Sequence, residues 1–293
     1  MGVTERLRHQ DRWLTGWAWA SIVANIGIVV TGGVVRLTGS GLGCPTWPRC
    51  TEESFTPHGA YDLHSVIEFG NRLLTYVLVA VAVGTFVAAW QSGRRDLRLL
   101  ALVMGLGIPA QAVIGGITVL TDLNPWIVSL HLLCSMAIIG VAMLFLHRVD
   151  SPAPAVPPRG ALLGLAWATF AAAWVVLYLG TVVTGSGPHA GDQDAERNGL
   201  DPLQWSQLHA DAVFLLVGLT VGLLLAVTAM RLPALTRRAV AVLLGVELAQ
   251  GGIGFVQYFT DLPIILVGFH MLGAALVSAA VTWALIQVRE PAV

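Results

Sequence analysis

The chain contains no lysine, and only 11% of its 293 residues are charged, where soluble domains carry roughly 25%. So little charge cannot cover a water-facing surface. With 56% hydrophobic residues and a mean hydropathy of +0.74, the scarcity excludes a soluble globular domain and points to an integral membrane protein. Without lysine, the cations that can orient the chain are its 16 arginines. The net charge of -1 gives no reason to expect nucleic acid as a partner. Cysteine is scarce too, with three residues, so each can be placed individually.

What is present is apolar sequence in long runs. A helix needs about 20 apolar residues to cross the hydrocarbon core, and eight such runs occur, at roughly 13–35, 63–91, 97–120, 126–148, 162–184, 204–230, 235–259 and 263–288. They leave little chain for any soluble domain. The first follows the charged stretch "TERLRHQDR" and is expected to be a retained span rather than a cleaved signal peptide. Twelve arginines lie before the first span, in the even-to-odd connections or at the C-terminus, whereas Arg36, Arg49, Arg72 and Arg197 lie on the other side. The positive-inside rule therefore predicts a multi-pass protein of the plasma membrane with both termini in the cytoplasm. The outer loops are acidic by contrast, with Glu52, Glu53, Asp62, Asp192, Asp194, Glu196 and Asp201.

Cys44 and Cys50 share the first outer loop, "GLGCPTWPRC", in an oxidising compartment where a disulfide is expected; two free thiols or a redox-active pair are the alternatives. Cys134 falls in the middle of a span and is expected to pack as a small apolar side chain.

The chain also repeats itself. Residues 111–131, "QAVIGGITVLTDLNPWIVSLH", and 250–270, "QGGIGFVQYFTDLPIILVGFH", share Gln at the first place, Ile-Gly, Thr-Asp-Leu and a closing His. A weaker echo links "GGVVRLTGSG" with "GTVVTGSG". The predicted halves are 1–148 and 162–293, joined by a cytoplasmic linker, 149–161, whose prolines forbid a helix. Four spans per half is an even number, so both copies keep one topology. The expected fold is all-α: two repeated four-helix bundles related by a pseudo-two-fold axis along the membrane normal.

Three histidines then fall into one layer. His131 follows Pro125 by six residues, while His209 and His270 follow Pro202 and Pro263 by seven. At about 1.5 Å per residue, each sits roughly 10 Å below the outer surface. Imidazoles from two helices of a bundle are a common way to hold haem iron through its axial positions, and no carboxylate or thiolate cluster stands near His209 and His270 to favour zinc. In helix two, "DLHSVIEFGNR", His64, Glu68 and Asn71 recur at i, i+4 and i+7 on one face, with Arg72 placed to pair with Glu68. Ionisable groups inside a span are costly and mark function by default.

The eight spans, the duplicated halves, "GGVVRLTGSGLGC" ahead of "WPRC", "IEFGNR" and the histidines of helices four, six and eight together resemble the haem A synthase family across essentially the whole chain. The resemblance implies oxidation of the position-8 methyl of haem O to a formyl by successive hydroxylations, for cytochrome oxidase. It implies His209 and His270 as axial ligands of a haem b cofactor, His131 as a ligand to the iron of the substrate haem, and Glu68 as the catalytic glutamate beside Arg72. It also implies Cys44 with Cys50 as the loop disulfide, and haem O synthase as a candidate partner in the lipid bilayer. Asn71 stands where many relatives carry a histidine; either His64 replaces it, or His131 holds the substrate iron alone. The second outer loop has no cysteine, and His189 within it is expected to be solvated rather than a ligand. A di-haem b-type electron carrier would explain the histidines but gives Glu68 and the cysteine loop no task. A parallel-repeat transporter would explain the duplication and the buried charges but predicts discontinuous helices at mid-membrane, whereas the polar groups singled out here are expected to cluster in the outer leaflet.

Overall fold

The computed structural model describes residues 3–57, 62–150 and 160–290. Most of the expected linker, 151–159, lies outside the described residues, and Arg159 with it. Eight helices follow in order: α1 (Val3–Leu37), α2 (Leu63–Gln91), α3 (Arg95–Leu120), α4 (Pro125–Asp150), α5 (Ala161–Ser186), α6 (Pro202–Ala229), α7 (Ala234–Phe259) and α8 (Ile264–Arg289). No strand occurs among the described residues. All eight are long and apolar enough to cross a membrane, and a 26-residue helix such as α7 spans about 39 Å, more than the roughly 30 Å hydrocarbon core.

The ends of the helices follow local chemistry. Pro125 and Pro202 occupy first-turn positions where a missing N–H costs nothing. The Asp201 carboxylate caps α6 by accepting from the Leu203 amide at 2.9 Å. The two Thr-Asp-Leu segments of the repeated sequence make matching turns: Asp122 and Leu123 have φ of 50° and 61°, Asp261 and Leu262 have 57° and 55°. In each turn the leucine amide reaches five residues back, Leu123 to Thr118 O at 2.8 Å and Leu262 to Gln257 O at 3.0 Å, which satisfies the carbonyls that a helix end leaves open.

Helices α1 to α4 pack in a ring, each against its two neighbours, and α5 to α8 form a second ring of the same order. The diagonal pairs α2 with α4 and α6 with α8 make no close backbone approach among the described residues. The rings meet along α1, α4, α5 and α8, where Val29, Met136, Ile139, Leu177, Ala275 and Ala279 form a buried seam and the Ser278 hydroxyl donates to the Met136 carbonyl at 2.8 Å. Small residues admit large neighbours, as where Gly84 faces the Trp17 ring, the usual basis of tight packing between membrane helices. At the far end of the seam, Arg148 binds Glu290 through both terminal nitrogens, with Nη2 to Oε1 at 2.6 Å. Arg148 is therefore a buried ion-pair partner between the two rings.

Candidate functional site

The candidate residues fall into two groups, one in each ring. In the first, the "GLGCPTWPRC" loop folds down onto α2. Cys44 and Cys50 form the expected disulfide, and both are almost wholly buried. Glu68 is 5% exposed. Its carboxylate accepts from the Cys44 amide at 2.6 Å and from Arg72 Nε and Nη2 at 3.1 and 2.5 Å. Arg72 in turn donates to the carbonyls of Cys44, Thr46 and Arg49 at 2.8, 3.0 and 3.1 Å. Pair and loop thus form one hydrogen-bonded unit: the arginine is spread over three loop carbonyls and the carboxylate is fixed from two sides. This is a buried charge-assisted network, not a pair reaching out to water. The Trp47 indole from the same loop lies over Gly116 of α3, which has no side chain to obstruct it.

The shared face of α2 does not give its residues a shared partner. The His64 ring is exposed, with Nδ1 3.0 Å from the Ser40 hydroxyl, and its backbone packs against Gly43. Asn71 accepts from the Thr31 hydroxyl at 2.8 Å. Across the ring on α4, the His131 ring rests over Gly115 of α3, whose hypothetical Cβ would lie 3.3 Å from it. Nδ1 of His131 is buried without a hydrogen-bonding partner among the described residues. The Gln111 carboxamide donates to the His131 carbonyl at 2.9 Å and also binds the Ser135 hydroxyl.

In the second ring the same parts recur. The Gln250 carboxamide donates to the His270 carbonyl at 2.8 Å, and the His270 ring rests over Gly254. On the diagonal helix, His209 rests over Gly180 of α5, 3.2 Å from a Cβ built there. Nδ1 is buried without a hydrogen-bonding partner in both histidines, although the Val176 carbonyl lies beside the His209 ring. Among the described residues no cluster of three or more His, Cys, Asp or Glu could hold a metal ion directly. The donor set is therefore one imidazole from each of two diagonal helices with an interior between them, which suits an iron already held in a porphyrin.

His189, expected in solvent, is half-buried and its Nε2 lies 3.0 Å from the Leu262 carbonyl, so it pins the α7–α8 turn. Arg36 donates to the His189 and Thr184 carbonyls at 2.7 and 3.0 Å, tying the end of α1 to the end of α5 and the loop that follows it. Cys134 is free, as expected. The sequence reading missed Glu247, a carboxyl buried in the middle of α7. Its signal was plain: a lone acid in an otherwise uncharged stretch of span.

A family model described as COX15-CtaA, cytochrome oxidase assembly protein, matches residues 15–191. Among curated proteins, one named Heme A synthase from Geobacillus thermodenitrificans is 31% identical over 116 residues, 39% of this chain and 36% of that protein. Its namesake from Listeria welshimeri is 28% identical over 151 residues, 47% of each. Another from Staphylococcus haemolyticus is 27% identical over 181 residues, 56% of this chain and 57% of that protein. The chain thus matches roughly half the length of these relatives, and the family match ends before α6.

Proposed function

The chain belongs to the COX15-CtaA family, and from that premise we propose that it is a haem A synthase, oxidising the position-8 methyl of haem O to a formyl by successive hydroxylations and so supplying haem A for cytochrome oxidase. The observation that carries this reading is the Glu68 carboxylate, buried and clamped between Arg72 and the Cys44 amide. It lies in the ring whose opposite helix offers His131. An electron carrier has no use for such a group, and a transporter none for the disulfide loop that fixes it.

In this reading the halves are 1–148, which receives substrate, and 162–293, which holds a haem b cofactor. His209 and His270 would hold it, and His131 would bind the substrate iron. The haem supplies the redox chemistry when bound. The chain supplies position and charge. Arg72 cannot turn without releasing three loop carbonyls, so Glu68 keeps its place through a catalytic cycle. A fixed carboxylate away from bulk water can take a proton from the substrate or stabilise positive charge developing at the methyl carbon. Asn71 is engaged by Thr31, while His64 keeps Nε2 for use; His131 is common to the one-ligand and two-ligand arrangements.

The matched Gln–His carbonyl bonds, His-over-Gly contacts and left-handed turns support two copies related by a pseudo-two-fold axis along the membrane normal. The arginine distribution supports cytoplasmic termini in the plasma membrane, with the haem sites toward the outer leaflet. Haem O synthase is the candidate partner for delivery of a substrate this apolar.

The test is haem extraction and mass analysis from cells that make haem O, with this chain, with Glu68→Gln, and with neither. The expected result is formyl-bearing haem A only with the unaltered chain, while purified Glu68→Gln retains haem b. Full haem A production by Glu68→Gln would remove Glu68 from catalysis. Haem b without haem A from the unaltered chain would make it an electron carrier.

A further inference from the structure

Glu247 is the acid that the proposed synthase reaction leaves without a task. It sits thirteen residues from Ala234 and twelve from Phe259, hence near the bilayer centre, and is 3% exposed. Oε1 accepts from the Thr220 hydroxyl at 2.9 Å, and Thr220 itself is completely buried. Oε2 is buried with no hydrogen-bonding partner among the described residues. A permanently ionised carboxylate in that position would have one oxygen both desolvated and unpaired, the costliest arrangement for a buried charge. A carboxyl that gains and loses a proton there fits the geometry.

Its neighbours say what it would respond to. On α7, Glu247, Gln250 and Gly254 stand at i, i+3 and i+7, one face of the helix. Gln250 donates to the His270 carbonyl and Gly254 underlies the His270 ring. On α6, Thr220 follows His209 by eleven residues, three turns and so the same face. The Thr220–Glu247 pair therefore lies below the space between the two proposed axial ligands, about 10 Å from Gly254 along α7 and about 16 Å from His209 along α6. The first ring has no counterpart. Counting back along the repeat, Glu247 corresponds to Ile108, which lines a small cavity with Ser21, Asn25 and Thr85.

The other ionisable groups on the elements packed here are His209 and Asp211 on α6, His270, Arg289 and the following Glu290 on α8, and Arg237, Arg238 and Tyr258 on α7. None of them pairs with Glu247, whose single polar partner is the Thr220 hydroxyl. A change of charge at the cofactor site is thus the nearest event that could move its proton.

We propose that Glu247 is a proton-binding site coupled to the haem held between α6 and α8. When that haem gains one electron from an external one-electron donor, its iron going from ferric to ferrous, the Glu247 carboxylate takes one proton from bulk water on Oε2; reoxidation releases both. The inference rests on the haem b reading of this half, because the positive charge of the ferric centre is what favours the carboxylate.

The experiment uses the purified haem-loaded protein with dithionite as reductant. The haem midpoint potential is titrated across the neutral pH range, and reduced-minus-oxidised infrared spectra are recorded in H₂O and D₂O. In the unaltered protein the midpoint falls by up to about 59 mV for each tenfold drop in proton concentration, and a carboxylic acid C=O band appears on reduction and shifts in D₂O. In Glu247→Gln the band is gone and the slope flattens, with haem still bound. Thr220→Val, which removes the one hydrogen-bond donor, moves the band and keeps it. A midpoint independent of pH, or a slope and band unchanged in Glu247→Gln, overturns the proposal. If Glu247→Gln fails to hold haem, the Thr220→Val spectrum decides: an unmoved band overturns the proposal. A protein that binds no haem in this half defeats the underlying reading instead.

Discussion

The two rings hold their histidines alike and surround them differently. In both, a glutamine carboxamide fixes the histidine carbonyl of the next helix, and a glycine removes the side chain that would meet the imidazole. The diagonal helices then part company. In the second ring, His209 stands opposite His270 over Gly180. In the first, the corresponding stretch of α2 carries Asn71, tied to Thr31, and Gly32 of α1 has nothing within 4 Å. Charge is divided as well: the first ring fixes Glu68 near the start of α2 beneath a disulfide loop, whereas the second buries Glu247 at mid-helix with a single threonine. In the proposed reading, one scaffold thus yields a pair of histidines suited to a resident cofactor, and a site with an acid beside it suited to a molecule that must enter, react and leave.

The largest effects should come from breaking that division. Glu68→Gln is expected to lower haem A formation by about 10²-fold or more, the range for loss of a positioned acid–base group, while the haem content of the purified protein holds. His270→Ala should do the reverse first, removing the haem b absorbance through loss of an axial ligand. His131→Ala should leave that absorbance intact and abolish retention of added haem O, measured by haem extraction after washing. If both histidine variants lost the same haem, the assignment of separate roles to the rings would fail.

A smaller effect sharpens the contrast by making the first ring resemble the second. Asn71→His gives up the hydrogen bond to Thr31 and places an imidazole on α2 where the space beside Gly32 is open. The expected result is a low-spin, six-coordinate spectrum for haem bound in the first ring, read by absorption and electron paramagnetic resonance. Conversion should slow by about tenfold, equivalent to about 1.4 kcal/mol of barrier. An unchanged spin state would mean that His64 already supplies the second ligand.

Much of this was legible from residue order, because the physics that writes it is local. Apolar runs set the eight spans, and the helix ends fall within about two residues of those runs, since proline, Asp201 and the Thr-Asp-Leu turns mark them, except that α1 starts ten residues before its run, at Val3. The Glu68–Arg72 pair is an i, i+4 contact and follows from helix periodicity alone. The rest of the site is made by residues far apart in sequence. Nothing in "GLGCPTWPRC" announces that the Cys44 amide points at Glu68, or that Arg72 will bind three carbonyls of that loop. His64, Glu68 and Asn71 share a helical face, yet Ser40, Cys44 and Thr31 draw them to three different partners. Glu247 was visible as a lone acid in a span, but its meaning depends on Thr220, 27 residues away.

The smallest expected effect tests whether the His-over-Gly contact is equally tight in the two rings. A Cβ at position 115 would stand 3.3 Å from the His131 ring, and one at position 254 would stand 3.6 Å from the His270 ring. The first is a crowded approach that the ring must yield to, and the second is ordinary van der Waals contact. Gly115→Ala should therefore displace His131 by a few tenths of an ångström and lower haem O retention several-fold. Gly254→Ala should leave haem b binding nearly unchanged and add slight thermal stability, because alanine favours the helix over glycine by roughly 1 kcal/mol. Melting curves and haem titrations of the two variants side by side decide it. Equal losses in both would mean that the resident haem sits on a histidine as closely confined as the one that meets the substrate. The openness of the first ring would then lie in the α2 residues alone.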